Sequence, residues 1–179
     1  TTLFRSKQAQ PPILTGNIQG LEPGGRPEMG WTLNGQRAHR TLPSSQDNPF
    51  GQALIALREL LTRELSLPVL QAVAHRVVHG GQHFRSSTVV TPAVLAVLEG
   101  LNSLAPLHQP HNLAGIRSFS QTFAHLPQVA CFDTAYHATL PELEYCFALP
   151  QALSAQGVRR YGFHGLSYQS IMGTLQQRS

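Results

Sequence analysis

Val69-Leu70-Gln71-Ala72-Val73-Ala74-His75-Arg76-Val77-Val78, followed by His79-Gly80-Gly81, decides the fold class of this chain. The run is apolar over most of its length, rich in valine and stopped by a glycine pair. It therefore reads as a buried strand of the kind found in α/β sheets. Upstream, Pro68 separates it from a stretch in which Leu54, Leu57, Leu61 and Leu65 recur at helical spacing. Asn48 can cap that helix and Pro49 suits its first position. Downstream, residues 92–101 and 112–123 read as two more helices, with a Pro- and His-containing loop at 104–111 between them. Residues 127–132 form a second short buried strand ending on Asp133, and Pro141 and Pro150 break the chain before a short helix at 151–155 and a last one over 167–177. The first 47 residues are turn-rich, with residues 13–18 and 31–33 as hairpin strands. Strands alternating with helices after a leading hairpin imply an α/β domain with a mixed sheet.

Composition supports a folded chain. At 179 residues one domain is the default and two small ones the limit. Hydrophobic residues make up 41% and charged residues 12%, which excludes disorder driven by high net charge. No stretch approaches the ~18 uninterrupted apolar residues of a membrane span, and residues 1–10 carry no apolar export segment, so no membrane association and a cytoplasmic location are expected. The net charge of +4 comes from 12 Arg and one Lys scattered singly apart from Arg159-Arg160. A nucleic-acid surface clusters its basic residues on one face, so no nucleic-acid partner is expected. Cys131 and Cys146 both sit in apolar runs and read as reduced thiols.

The chemistry-bearing residues gather at strand ends. Arg76 and His79 stand at the end of one strand and Asp133 directly after the other, the edge at which open α/β sheets bind ligands. An arginine within an apolar strand needs a partner, and its fork of donors suits a carboxylate or a phosphate; a structural ion pair is the plainer reading. Asp133, one of two Asp in the chain, is either the N-cap of a turn over 134–137 or a catalytic group. His75 and His79 in one strand would share a face roughly 13 Å apart, too far for a shared metal. His108 and His111 lie in a proline-rich loop and His164 in a turn flanked by Gly162 and Gly165.

Five strings taken together resemble the acetate kinase family: His75-Arg76-Val77-Val78-His79-Gly80-Gly81, Leu104-Ala105-Pro106-Leu107-His108, Asn112-Leu113 with Gly115-Ile116, Phe132-Asp133-Thr134-Ala135-Tyr136-His137, and Arg159-Arg160-Tyr161-Gly162-Phe163-His164-Gly165. Their order covers the chain from Asn48 onward. The resemblance implies a ribonuclease-H-like domain of the actin-like ATPase superfamily, the first of two, spanning residues 1–179. It further implies transfer of the ATP γ-phosphoryl group to acetate or propionate with Mg²⁺, reversibly, giving acyl phosphate and ADP. Carried over, Arg76 contacts the carboxylate or phosphoryl group, and Val78, Leu107 and Phe163 wall the acyl pocket. Asp133 is the essential aspartate and metal ligand, His108 and His164 bond the phosphoryl group in flight, and His164 with Gly165 faces the nucleotide. All four polar residues are expected on one cleft. Partners would be the carboxylate and nucleotide substrates and a second copy of the enzyme.

The chain also departs from the family pattern. The family's opening strand and turn, Asn-x-Gly-Ser-Ser-Ser-x-Lys, has no counterpart, and Leu3-Phe4 resembles the strand after it; the gap calls for residues upstream of Thr1 or for another segment in the sheet. No second, ATP-binding domain follows within Ser179, so this chain alone is expected to be inactive. Gln82 stands where the family has Glu, Gln109 where it has Asn, and Tyr168 where it has His. The alternative reading is a non-catalytic relative that keeps small-anion binding or an interaction role only.

Overall fold

A computed structural model describes residues 12–43, 48–65 and 70–178, so the expectations for Leu3-Phe4 and the opening strand lie outside the described residues. The chain forms two compact units, Thr1–Val69 and Leu70–Ser179.

In the first unit, β1 (Leu14–Gln19), β2 (Glu28–Leu33) and β3 (Gln36–Thr41) make an antiparallel meander. The β2–β3 hairpin turns on Asn34 and Gly35 at φ +50° and +83°, with Leu33 opposite Gln36. Positive φ at both central residues is what a tight type I′ turn requires, and Asn-Gly meets that need at low cost. Helix α1 (Pro49–Leu65) begins as its sequence anticipates, with Asn48 Oδ1 accepting from the Gly51 amide at 2.8 Å. Ala53, Ala56 and Leu60 of α1 cluster with Leu14, Met29 and Leu42 as this unit's core.

In the second unit, β4 (Val73–Val77) pairs in parallel with β6 (Gln128–Phe132), and β5 (Thr88–Val89) lies antiparallel on the other side of β6. The mixed sheet is therefore present, but the expected strand over 69–78 is too long and too buried. Only Val73–Val77 is extended in a ladder, and Ala74 and Arg76 are exposed, because among the described residues β4 is an edge strand with a neighbour on one side only. His79 falls beyond the strand, so the spacing argued for His75 and His79 as strand neighbours does not apply; among the described residues no metal-binding group of three or more such side chains forms.

Helices α2 (Pro92–Glu99) and α3 (Gln109–Thr122) pack on this sheet through Leu98, Leu113 and Ile116 against Val77, Ala130 and Phe132. Helix α3 starts three residues before the expected 112, taking in part of the anticipated loop. Pro110 is tolerated in a first turn, where its missing N–H had no intrahelical partner to lose. Two short helices, α4 (Glu142–Tyr145) and α5 (Gln151–Ala155), precede α6 (Gly165–Arg178). Among the described residues no helix is long and apolar enough to cross a membrane.

Candidate active site

Strand register builds the centre of the site. Arg76 lies opposite Cys131 in the parallel β4–β6 pair, and the Asp133 amide donates to the Val77 carbonyl at 3.0 Å, extending the ladder by one step. Side chains two residues apart share a face, so Asp133 follows Cys131 onto the face that Arg76 uses. The result is a forked ion pair. Arg76 Nε donates to both Asp133 oxygens at 3.2 and 3.0 Å, and the second terminal nitrogen donates to Oδ2 at 2.7 Å. Asp133 is 2% exposed while the Arg76 side chain is 59% exposed, so the carboxylate is buried and its partner faces the cleft. Hydrogen bonding to Asp133 pushes the Arg76 pKa still higher, and the guanidinium is charged at any working pH. The plainer reading of Arg76 as an ion-pair partner is thus correct, and it leaves one guanidinium face toward solvent.

The turn after β6 and the start of α6 hold the next residue in place. Gly165 donates its amide to the Asp133 carbonyl at 2.9 Å and is buried, with no room for a Cβ beside that carbonyl and Tyr136. Glycine is needed there for close approach of the backbones. Gly165 does not line the cleft, and its N–H is spent on Asp133. His164, directly before it, takes φ +56°, a left-handed conformation uncommon for a side chain of this size. Its Nδ1 lies 3.5 Å from an Arg76 terminal nitrogen. The Phe163 carbonyl accepts from His137 Nε2 at 3.0 Å, which pins the turn from behind.

The opposite wall comes from the chain between α2 and α3. Arg76, Val78, Leu107, His108, Asp133, Phe163 and His164 all line one open cleft of about 670 Å³, with Leu104, Ala105, Pro106 and Asn112 completing it. Every polar residue expected on a common cleft is there, although Leu107 is 78% exposed and forms a rim rather than a closed pocket wall. Asn112 is a contributor whose role the sequence reading did not assign: its Oδ1 accepts from the Val78 amide at 3.0 Å, tying α3 to the end of β4. Its place in the string Asn112-Leu113 was the available signal.

Behind the cleft sits a buried polar knot. The Gln109 amide group accepts from the His79 N–H at 3.2 Å and donates to the His79 carbonyl at 3.0 Å. His79 Nδ1 accepts from the Gly81 amide at 2.9 Å, and its ring packs edge-on against Tyr161 and Phe163. Burial lowers the pKa of His79, and the acceptor role of Nδ1 requires the neutral ring. His75 is likewise lowered by burial, partly offset by its bond to Gln128. Tyr168, half exposed, lays its ring on Tyr136 at 6.0 Å and meets His137 edge-on.

The model of the acetokinase family matches residues 27–178. The chain belongs to the acetokinase family. It is 58% identical over 106 residues to an acetate kinase of Rhodopseudomonas palustris, covering 59% of this chain and 27% of that protein. It is 41% identical over 164 residues to an acetate kinase of Nitrobacter hamburgensis, covering 90% of this chain and 40% of the relative. Among solved structures, a propionate kinase of Francisella tularensis superposes with a TM-score of 0.80 at 31% identity over 89% of this chain and 41% of its own. An acetate kinase of Porphyromonas gingivalis gives 0.76 at 32% identity over 91% and 42%. The fold is that of these kinases, and this acetokinase-family chain spans less than half the length of the relatives it matches.

Proposed function

We propose that this chain is the N-terminal domain of an ATP-dependent kinase that phosphorylates acetate or propionate. The observation that carries the reading is the meeting of Arg76, His108, Asp133 and His164 on one cleft whose other walls include Val78, Leu107 and Phe163. A carboxylate oxygen of the acceptor attacks the γ-phosphorus, a new P–O bond forms, the bond to the β,γ-bridging oxygen breaks, and ADP leaves with its electron pair. The acceptor is already an anion, so no base is needed, and the work lies in alignment and in supplying positive charge and N–H donors to the equatorial oxygens. Arg76, fixed in orientation by Asp133, directs its solvent-facing edge at the acceptor carboxylate or the moving phosphoryl group. His164 and His108 supply ring N–H donors, and the apolar residues admit a short acyl chain.

Magnesium fits this donor set in one way. A single hard carboxylate, Asp133, whose oxygens also serve Arg76, suits a Mg²⁺ that arrives on the nucleotide phosphates and keeps its waters, rather than an all-protein cage. Bound there, the metal would neutralise phosphate charge. Helix α6 exposes Tyr168, Ile171, Met172 and Leu175 at helical spacing, an apolar face suited to cover by the rest of a longer protein. ATP binding, turnover and assembly as a homodimer then belong to that longer protein, and this chain alone is inactive.

The test is acyl phosphate formation, trapped as the hydroxamate. The longer protein makes it from ATP and acetate, this chain alone does not, and Asp133→Asn in the longer protein lowers kcat by orders of magnitude with a small change in KM for acetate. Full turnover by the Asn variant, or by this chain alone, overturns the assignment.

A further inference from the structure

A second concave site lies beside the turn that follows Asp133, lined by Arg85, Arg159, Arg160, Gln82, Thr134 and His137. Its charge is unbalanced. Residues 70–178 contain four carboxylates, Glu99, Asp133, Glu142 and Glu144. Among the described residues Glu99 pairs with Arg117 and Asp133 with Arg76, and no carboxylate lies within 4.0 Å of a nitrogen of Arg85, Arg159 or Arg160. Three arginines lining one pocket without a paired carboxylate give it a positive potential that favours an anion.

Two of the arginines, Arg159 and Arg160, are also held in place. The Arg159 guanidinium lies 3.6 Å from the Tyr145 ring centroid and 5.3 Å from that of Tyr161, and Arg160 lies 5.7 Å from the Phe147 ring. The Arg160 amide donates to the Tyr145 carbonyl at 2.7 Å, fixing the strip that carries both. Stacking occupies the face of a guanidinium and leaves its in-plane edge; Arg159 Nε donates from that edge to the Arg160 carbonyl at 3.4 Å, and the terminal nitrogens are left to bond an oxyanion. Side chains ordered before binding lose less freedom on binding.

We propose that this pocket binds a small, multiply charged oxyanion, with inorganic phosphate or pyrophosphate as the simplest members of the class. The site is separate from the cleft and uses none of its residues. Isothermal titration of the chain with phosphate and with pyrophosphate, at ionic strength matched with chloride, reads it directly. The wild-type chain binds saturably, and Arg85→Gln combined with Arg160→Gln weakens binding about tenfold or more. Gln82→Glu, an exposed change that places a carboxylate in the pocket, weakens it as well, while Arg76→Gln removes only what the cleft binds and leaves the pocket's response in place. Circular dichroism confirms that each variant is folded. Binding that survives the double variant, binding lost on Arg76→Gln alone, or a response no larger than that to chloride overturns the proposal. So does binding of a short single-stranded oligonucleotide where phosphate and pyrophosphate do not bind.

Discussion

His79 shows how one side chain ties stability to pH. It is 1% exposed, its Nδ1 accepts from a backbone amide, and its pKa is lowered from 6.5 by burial. The unfolded chain takes up a proton as pH falls below about 6.5, whereas the folded chain resists it. Stability is therefore full above that value and declines below it by about 1.4 kcal/mol per pH unit for this group, levelling off once pH passes the folded-state pKa. Urea unfolding at pH 7.5 and 5.5 checks this: His79→Gln shrinks the loss between the two pH values, even if it is less stable at both, and an unchanged loss refutes the assignment. The histidine was visible in the sequence at the end of an apolar run, but its burial was not, because a strand end and a first loop residue look alike in a linear pattern. Arg76 was more legible. A cation amid Val and Ala has few ways to exist, and the structure supplies an ion pair with Asp133.

At the scale of elements, the connection between β4 and α3 rests on an amide pair. Gln109 is fully buried and its side chain satisfies both backbone groups of His79. Gln109→Leu keeps comparable bulk and removes both bonds, leaving a buried N–H and a buried carbonyl unpaired at about 1–3 kcal/mol each. Thermal unfolding should show that loss, and Gln109→Asn should recover part of it only if the shorter amide still reaches the His79 backbone; a Leu variant as stable as the wild type contradicts the account. Helix existence was legible from leucine spacing and capping residues, as Asn48-Pro49 shows. Boundaries were less so. The start of α3 at Gln109 is hidden by Pro110, which reads as a breaker unless it falls in a first turn. Strand β3 has exposed side chains throughout and no apolar alternation, and its only clear mark is the Asn34-Gly35 turn before it.

For the whole molecule, the two compact units differ in how they are built. Among the described residues, the first unit joins an antiparallel meander to helix α1 and the second joins a mixed sheet to several helices, each with its own cluster of buried side chains. The cleft residues and the arginine pocket both belong to the second unit. About a hundred residues around one core is an ordinary size for a domain that folds alone. Residues 70–179 expressed by themselves should then unfold in one cooperative transition and retain the phosphate response of the full chain, since every side chain assigned to it is present. Calorimetry and the same titration decide the matter. A broad, non-cooperative melt shows that residues 70–179 do not fold alone, and a cooperative melt without phosphate binding contradicts the assignment of the anion site to Arg85, Arg159 and Arg160.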